Sequence, residues 1–221
     1  VIEGISAIPY IHGFSWYEAL AHHQLPVHLE NDANCVGLSE LLAHPEIENA
    51  ACVVIGTGIG GAMIINGKLH RGRHGLGGEF GYMTTIEPAE KLNNWSLLAS
   101  TGNMVRYVIE KSGRSDWDGR KVYQEAAAGN ALCQEAIERM NRNLAQGLLN
   151  IQYLIDPDVI SLGGSISQNP DFIKGVQKAV DTFVEKYEEY TIAPVIQACT
   201  YHADANLYGA LVNWLQEENQ W

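Results

Sequence analysis

Four short stretches hold residue types that could do chemistry. Residues 31–34 read Asn31-Asp32-Ala33-Asn34, a carboxylate set between amides. Residues 53–65 read VVIGTGIGGAMII, two apolar runs with Gly56, Thr57, Gly58, Gly60 and Gly61 between them and the turn pair Asn66-Gly67 beyond. Residues 70–83, HRGRHGLGGEFGYM, surround one acid, Glu79, with five glycines. Gly163-Gly164 follow the apolar run Val159-Ile160-Ser161-Leu162. Glycines crowded between two strands leave backbone N–H groups bare, so that the loop can wrap an anion which a Cβ would hold off, and phosphate is the natural guest. An ordinary glycine-rich hairpin has the same residues, and composition does not separate the two. A carboxylate near a helix start, beside an amide able to grip a hydroxyl, is what a general base needs; an Asn31 or Asp32 that merely caps the helix is the plainer reading. The loop around Glu79 loses much entropy on ordering, which is tolerable where backbone must approach a ligand closely. A flexible surface loop competes with that reading.

The elements that must position these residues follow from periodicity and breakers. Residues 1–14 read as strand then loop, and Ser15 with Glu18 is a capping-box pattern opening a short helix to about His23. Val27-His28-Leu29 reads as a short strand delivering the chain to Asp32. Residues 34–42 carry helical spacing until Pro45. The glycine stretch predicts a β-hairpin. Helices are expected over 92–111 with an irregularity at Gly102, over 121–128, over 130–155 and over 170–187. Residues 159–162 and 195–199 read as strands, and 206–215 as a closing helix with Leu207, Ala210, Leu211 and Trp214 on its apolar face. A strand that runs into two glycines and then a helix suits a nucleotide, because ligands lie at the carboxyl ends of strands in α/β sheets.

Composition narrows the partners. With 46% hydrophobic and 18% charged residues the 221-residue chain is an ordinary globular one, long enough to bury a sizeable core. Its formal net charge of −12 repels a polyanion over most of the surface, so no nucleic-acid partner is expected for this chain. No apolar run approaches a membrane span. Cys35, Cys52, Cys133 and Cys199 are scattered without CxxC spacing and read as buried free thiols in a reducing cytoplasm. The chain opens Val1-Ile2-Glu3-Gly4, without methionine, and reads as a fragment of a longer protein.

In combination, N-D-A-N, then G-T-G-I-G-G-A, then G-E-x-G, then D-P-x-x-I-x-L-G-G resemble the ROK family of repressors, open reading frames and kinases, over residues 5–215. The resemblance implies an α/β fold of the actin-like ATPase (ribonuclease H-like) type, with a mixed sheet flanked by helices and a remnant of a second small domain. Residues 1–30 would be that remnant, 31–203 the large domain, and 204–221 a helix returning toward the small domain. It implies an ATP-dependent sugar kinase acting on a hexose or a β-glucoside. Asp32 would take the proton from the sugar hydroxyl, and Asn31 and Glu79 would bind hydroxyls. Gly56, Thr57, Gly58, Gly60 and Gly61 would form the second phosphate loop, and Gly163 and Gly164 would lie against the adenosine. ATP, Mg²⁺, a sugar substrate, a cytoplasmic homodimer and no membrane partner belong to the same expectation.

Four departures from the family pattern matter. The family's first phosphate loop, an aspartate with following glycines, is not in this chain, so the fragment alone is expected to be inactive. Tyr82 stands where the family has a histidine, and the cysteine-rich zinc motif is missing from the short stretch 87–98, so no structural zinc is expected. Ser96 takes the place of a sugar-binding glutamate, and residues 7–11, AIPYI, lack a sugar-contacting asparagine. Aromatic faces suit the apolar side of a pyranose ring, which points Tyr82, with Trp95 near it in sequence, toward a β-glucoside or other disaccharide. Packing of both rings in the gap left by the zinc ribbon is the alternative. A sugar-responsive repressor with an upstream helix-turn-helix, or an inactive sugar-binding protein, are the other function classes.

Overall fold

The computed structural model describes residues 9–85, 93–187 and 192–219. The expectations for residues 1–8, and for the part of the shortened zinc stretch within 86–92, lie outside the described residues. Five strands form one mixed sheet in the order β3 (Lys68–Leu69), β2 (Ile59–Ile65), β1 (Ala50–Ile55), β6 (Val159–Gly163), β7 (Ile196–Ala198). The first three are antiparallel neighbours, whereas β1, β6 and β7 run parallel. A separate two-stranded ribbon pairs β4 (Thr84–Thr85) with β5 (Asn93–Asn94).

Strand periodicity sorts the core onto the two faces of the sheet. Ala51, Val53 and Ile55 of β1 join the larger cluster, with residues of α4 (Thr101–Ser112), α5 (Gly119–Ala127), α6 (Ala131–Ile155) and α7 (Pro170–Lys186). Ala50 and Cys52 face the other way, toward α2 (Asp32–Ala43) and α8 (Ala205–Glu217). A central strand covered on both faces is apolar at consecutive positions, as AACVVI is in β1.

Most boundaries fall where the sequence places them. Ser15 caps α1 (Trp16–Leu20) by accepting the Glu18 N–H, and a 3₁₀ turn continues through His23. The 92–111 helix is corrected. It is two helices, α3 (Trp95–Ala99) and α4, separated at Ser100. Asn94 Oδ1 accepts the Leu97 N–H at 2.9 Å and Ser100 Oγ accepts the Asn103 N–H at 3.1 Å, so two side-chain caps cut one apolar run. The expected strand at Val27–Leu29 is also not formed. That segment turns to α8 instead: Pro26 O accepts from Trp214 Nε1 at 3.1 Å, and His28 Nε2 lies 2.7 Å from Glu218 Oε1.

The apolar face assigned to α8 is reversed. Leu207 and Leu211 are 68% and 53% exposed, while Ala205, Gly209, Val212 and Asn213 are buried. A Cβ on Gly209 would collide with the Cys35 carbonyl. The α2–α8 crossing is so close that small residues take it and the large ones are turned out, a preference that hydrophobic periodicity does not register.

Candidate active site

The site lies at the carboxyl end of β1 and the start of β2 and is assembled by close backbone approaches. In the hairpin Ile55 pairs with Ile59, Val54 with Gly60 and Val53 with Gly61. The turn itself is therefore Gly56-Thr57-Gly58. Gly60 and Gly61 belong to β2, a correction to the expectation of one loop from 56 to 61, and their missing side chains serve docking. A Cβ on Gly60 would lie 3.2 Å from the Ala33 Cβ, so its absence lets the first turn of α2 settle on the strand. A Cβ on Gly61 would lie 2.7 Å from the Gly78 carbonyl and 2.8 Å from the Cys52 carbonyl, so its absence admits the loop that carries Glu79. The Asp32 helix and the Glu79 loop are thus seated on successive residues of one strand.

Asn31 is the N-cap of α2. Its Oδ1 accepts the Ala33 and Asn34 N–H groups at 2.8 and 3.2 Å. Asp32 is the first helical residue and is exposed, with Oδ1 accepting the Ala33 N–H at 2.9 Å. The cap is thereby assigned to Asn31, and the Asp32 carboxylate is turned to the cavity.

That cavity, about 470 Å³, is lined by Asp32, Glu79, Tyr82, Ser96, the glycines Gly56, Gly58 and Gly60, and neighbours that include Gly81, Asn94 and Leu97. Burial pushes the Glu79 carboxyl above its ordinary value, and the Asp32 charge pushes the same way. Tyr82 is 63% exposed at the cavity. Of the two readings of Trp95, packing is the one the structure has: it is 1% exposed, donates from Nε1 to the Asn143 carbonyl at 2.8 Å and packs on Gly147. It fills a structural gap and offers no face to a ligand.

Asn31, Thr57, Gly61, Gly163 and Gly164 do not line this cavity. Gly163 pairs with Val54, and a Cβ on Gly164, at φ +88°, would collide with the Ile55 carbonyl. The diglycine therefore sits beside the base of the hairpin, in contact with the strand end that leads into Gly56.

Sequence reasoning did not assign the residues that stiffen the hairpin. Ser96 Oγ accepts the Ile59 N–H at 2.8 Å, and a Cβ on Gly58 would lie 2.7 Å from that oxygen. Gly102, in the first turn of α4, donates its N–H to the Gly56 carbonyl at 3.1 Å, and a Cβ there would collide with the Thr57 carbonyl. The isolated glycine at 102 was the one available signal, and it marks this contact and not a helix break. Among the described residues no group of three or more His, Cys, Asp or Glu is placed to hold a metal ion, and the four cysteines are buried free thiols.

The mixed sheet, with a glycine hairpin, a helix-start carboxylate and a second acid at its carboxyl edge, defines an α/β phosphotransferase of the actin-like ATPase type. The chain belongs to the ROK family, whose profile matches residues 17–217. A ROK family protein from Streptococcus pneumoniae TIGR4, solved in complex with sucrose, is 89% identical with a TM-score of 0.94, over 100% of this chain and 76% of that one. A β-glucoside kinase of Listeria monocytogenes is 34% identical over 212 residues, 93% of this chain and 69% of that protein. The ROK hexokinase of Thermus thermophilus superposes with a TM-score of 0.77 at 25% identity, over 90% and 69% of the two chains.

Proposed function

We propose that the intact protein is an ATP-dependent carbohydrate kinase that phosphorylates a hydroxyl of a glucoside, with Asp32 as the general base. The carbohydrate-kinase class follows from the family and its named relatives. One observation carries the site assignment: Asp32, Glu79 and the glycine hairpin line a single cavity. The acceptor hydroxyl oxygen attacks the γ-phosphorus of ATP, the bond to the β–γ bridging oxygen breaks, ADP leaves, and the hydroxyl proton passes to the Asp32 carboxylate. Such a transfer needs positioning and charge stabilisation more than covalent help.

The N–H groups of Thr57 and Gly58 suit the transferring phosphate, while that of Gly56 closes the turn by donating to the Gly58 carbonyl at 2.9 Å. Gly163 and Gly164 suit the nucleoside, because they adjoin the strand end feeding the hairpin. Mg²⁺ would enter with the nucleotide, held chiefly by its phosphates and water. Glu79 offers an acceptor inside the cavity; Asn31 stands outside its lining and, with Oδ1 committed to the cap, has only its Nδ2 group for a hydroxyl of a sugar that extends past the cavity rim.

A glucoside larger than a free monosaccharide is favoured by the exposed Tyr82 ring at the cavity and by Ser96, whose hydroxyl serves the hairpin. The Listeria relative's name and the sucrose in the Streptococcus structure agree with that substrate class. The domain division at 1–30, 31–203 and 204–221 is part of the proposal, supported by the contacts of Pro26 and His28 with α8. The family resemblance adds a cytoplasmic homodimer; among the described residues no helix is long and apolar enough to cross a membrane. The test is ADP release by the intact protein across monosaccharides, β-glucosides and sucrose. Turnover on a β-glucoside with kcat/KM above that for glucose is expected; no turnover on any sugar refutes the kinase reading.

A further inference from the structure

We infer that Glu30 and Arg71 form a positioning pair that sets the Asp32 helix and the Glu79 loop relative to each other, an inference that rests on the function proposed above. Glu30 immediately precedes the cap of α2, and both of its carboxylate oxygens are engaged. Oε1 accepts the Asn31 N–H and the Asn34 Nδ2–H, each at 2.9 Å. Oε2 accepts the Arg71 Nε–H at 2.6 Å. Arg71 then donates from Nη2 to Asn213 Oδ1 at 3.1 Å, and Asn213 is buried at 3% exposure in α8. One carboxylate therefore ties together three separate pieces of chain: the start of the helix that bears Asp32, the glycine-rich loop that bears Glu79, and the last helix.

An ordinary surface ion pair would do little. This one differs because the Glu30 side chain is only 9% exposed, and its partners are charged or fixed by backbone geometry. The loop also needs the anchor. Residues 70–79 contain four glycines, and Gly72, Gly75 and Gly78 have positive φ, so the loop has few side chains to pack and is placed by its anchors: the Glu79 N–H on the Leu76 carbonyl at 3.2 Å, Gly78 against Ala62 of β2, and Arg71 at its base. Arg71 enters the loop at its base, where Gly77 N–H also returns to the Arg71 carbonyl at 2.9 Å. Fixing Arg71 thus fixes both strands of the loop two residues before Glu79. Farther upstream, Pro26 and His28 hold the same lead-in segment against α8.

Neither side chain lines the cavity, so the pair acts through Asp32 and Glu79. Glu30→Gln tests it in the intact protein. The glutamine carbonyl can still take the Asn31 and Asn34 donors, whereas its amide meets the Arg71 Nε–H donor to donor, so the loop arm alone is broken. The sugar KM should rise about tenfold, the effect of one charge-assisted hydrogen bond, with the KM for ATP within about twofold. Calorimetric binding of the sugar without ATP should weaken by the same factor. Arg71→Lys should give a smaller rise in sugar KM, because the ammonium keeps a cation beside Glu30 but cannot also reach Asn213 as the guanidinium does. If Glu30→Gln does not fold, Arg71→Lys alone decides.

A folded variant with unchanged sugar KM overturns the pair, and so does one in which sugar and ATP constants rise together, as a general loosening of the fold would cause. Wild-type inactivity on every sugar counts instead against the kinase function. The calorimetric sugar titration still tests the pair in that event, and equal sugar affinity in wild type and variant overturns it.

Discussion

Asp32→Asn separates a catalytic carboxylate from a helix cap, because the two roles fall on different residues. The cap is Asn31, whose Oδ1 holds the Ala33 and Asn34 N–H groups, and substitution at 32 leaves it intact. An asparagine at 32 retains an acceptor for the Ala33 N–H that Asp32 Oδ1 now takes at 2.9 Å. What is removed is one negative charge at the first helical residue, about 0.3–1 kcal/mol of helix-dipole stabilisation. Relief of the repulsion that lifts the Glu79 carboxyl works in the opposite direction. The melting temperature should therefore move by no more than about 4 °C. Turnover should fall about 10²–10⁴-fold, the usual worth of a general base, which is about 2.7–5.5 kcal/mol of barrier. The sugar KM should stay within about threefold, since the missing interaction belongs to the transition state. A coupled ADP-release assay with a parallel thermal melt gives all three quantities. Unchanged turnover in a folded Asp32→Asn protein would refute the mechanism.

The other expectations use the same assays. Ser96→Ala leaves the Ile59 N–H without its partner in the hairpin, so the KM for ATP should rise about fivefold, for about 1 kcal/mol, with the sugar KM little changed; a rise confined to the sugar would make Ser96 a sugar ligand instead. Gly61→Ala places a Cβ within 2.8 Å of two carbonyl oxygens and should cost about 1–3 kcal/mol, lowering the melting temperature by several degrees. Glu79→Gln should raise the sugar KM more than it lowers turnover. Because the folded Glu79 carboxyl titrates above its unfolded value, its contribution to stability is most favourable when it is protonated and falls as pH rises through the raised pKa. Glu79→Gln should thus melt at or above the wild-type temperature at pH 7, with the gap closing toward pH 4; a variant less stable at pH 7 than at pH 4, relative to wild type, would contradict the burial of that charge.

How much of this was legible depended on whether a residue's job is local. The presence of the hairpin, the Ser15 cap and the long α6 helix follow from turn chemistry and periodicity within a few residues, whereas the hairpin register does not, its turn being 56–58 and not 56–61. Asp32 and Glu79 stand out as acids among amides and glycines, and the fold brings both into one cavity. Ser96 could not be found that way, because its acceptor role depends on Ile59, 37 residues distant. Trp95 stayed undecided between ligand and packing for a related reason. An aromatic near Tyr82 in sequence suggests a shared face, yet Gly147 opens a slot in α6 that buries it. The reversed face of α8 has the same origin, since the position of Gly209 against the Cys35 backbone outweighs the leucines beside it. Long-range close approaches, marked only by isolated glycines, decide these cases.

The most direct test is a structure of the intact protein with a β-glucoside such as cellobiose and a non-hydrolysable ATP analogue. One sugar hydroxyl oxygen should lie about 2.6–3.2 Å from the Asp32 carboxylate, with the γ-phosphate against the Gly56–Gly58 turn and Glu79 on a neighbouring hydroxyl. A glucoside bound outside the cavity, or bound within it with no hydroxyl in reach of Asp32, would contradict the site.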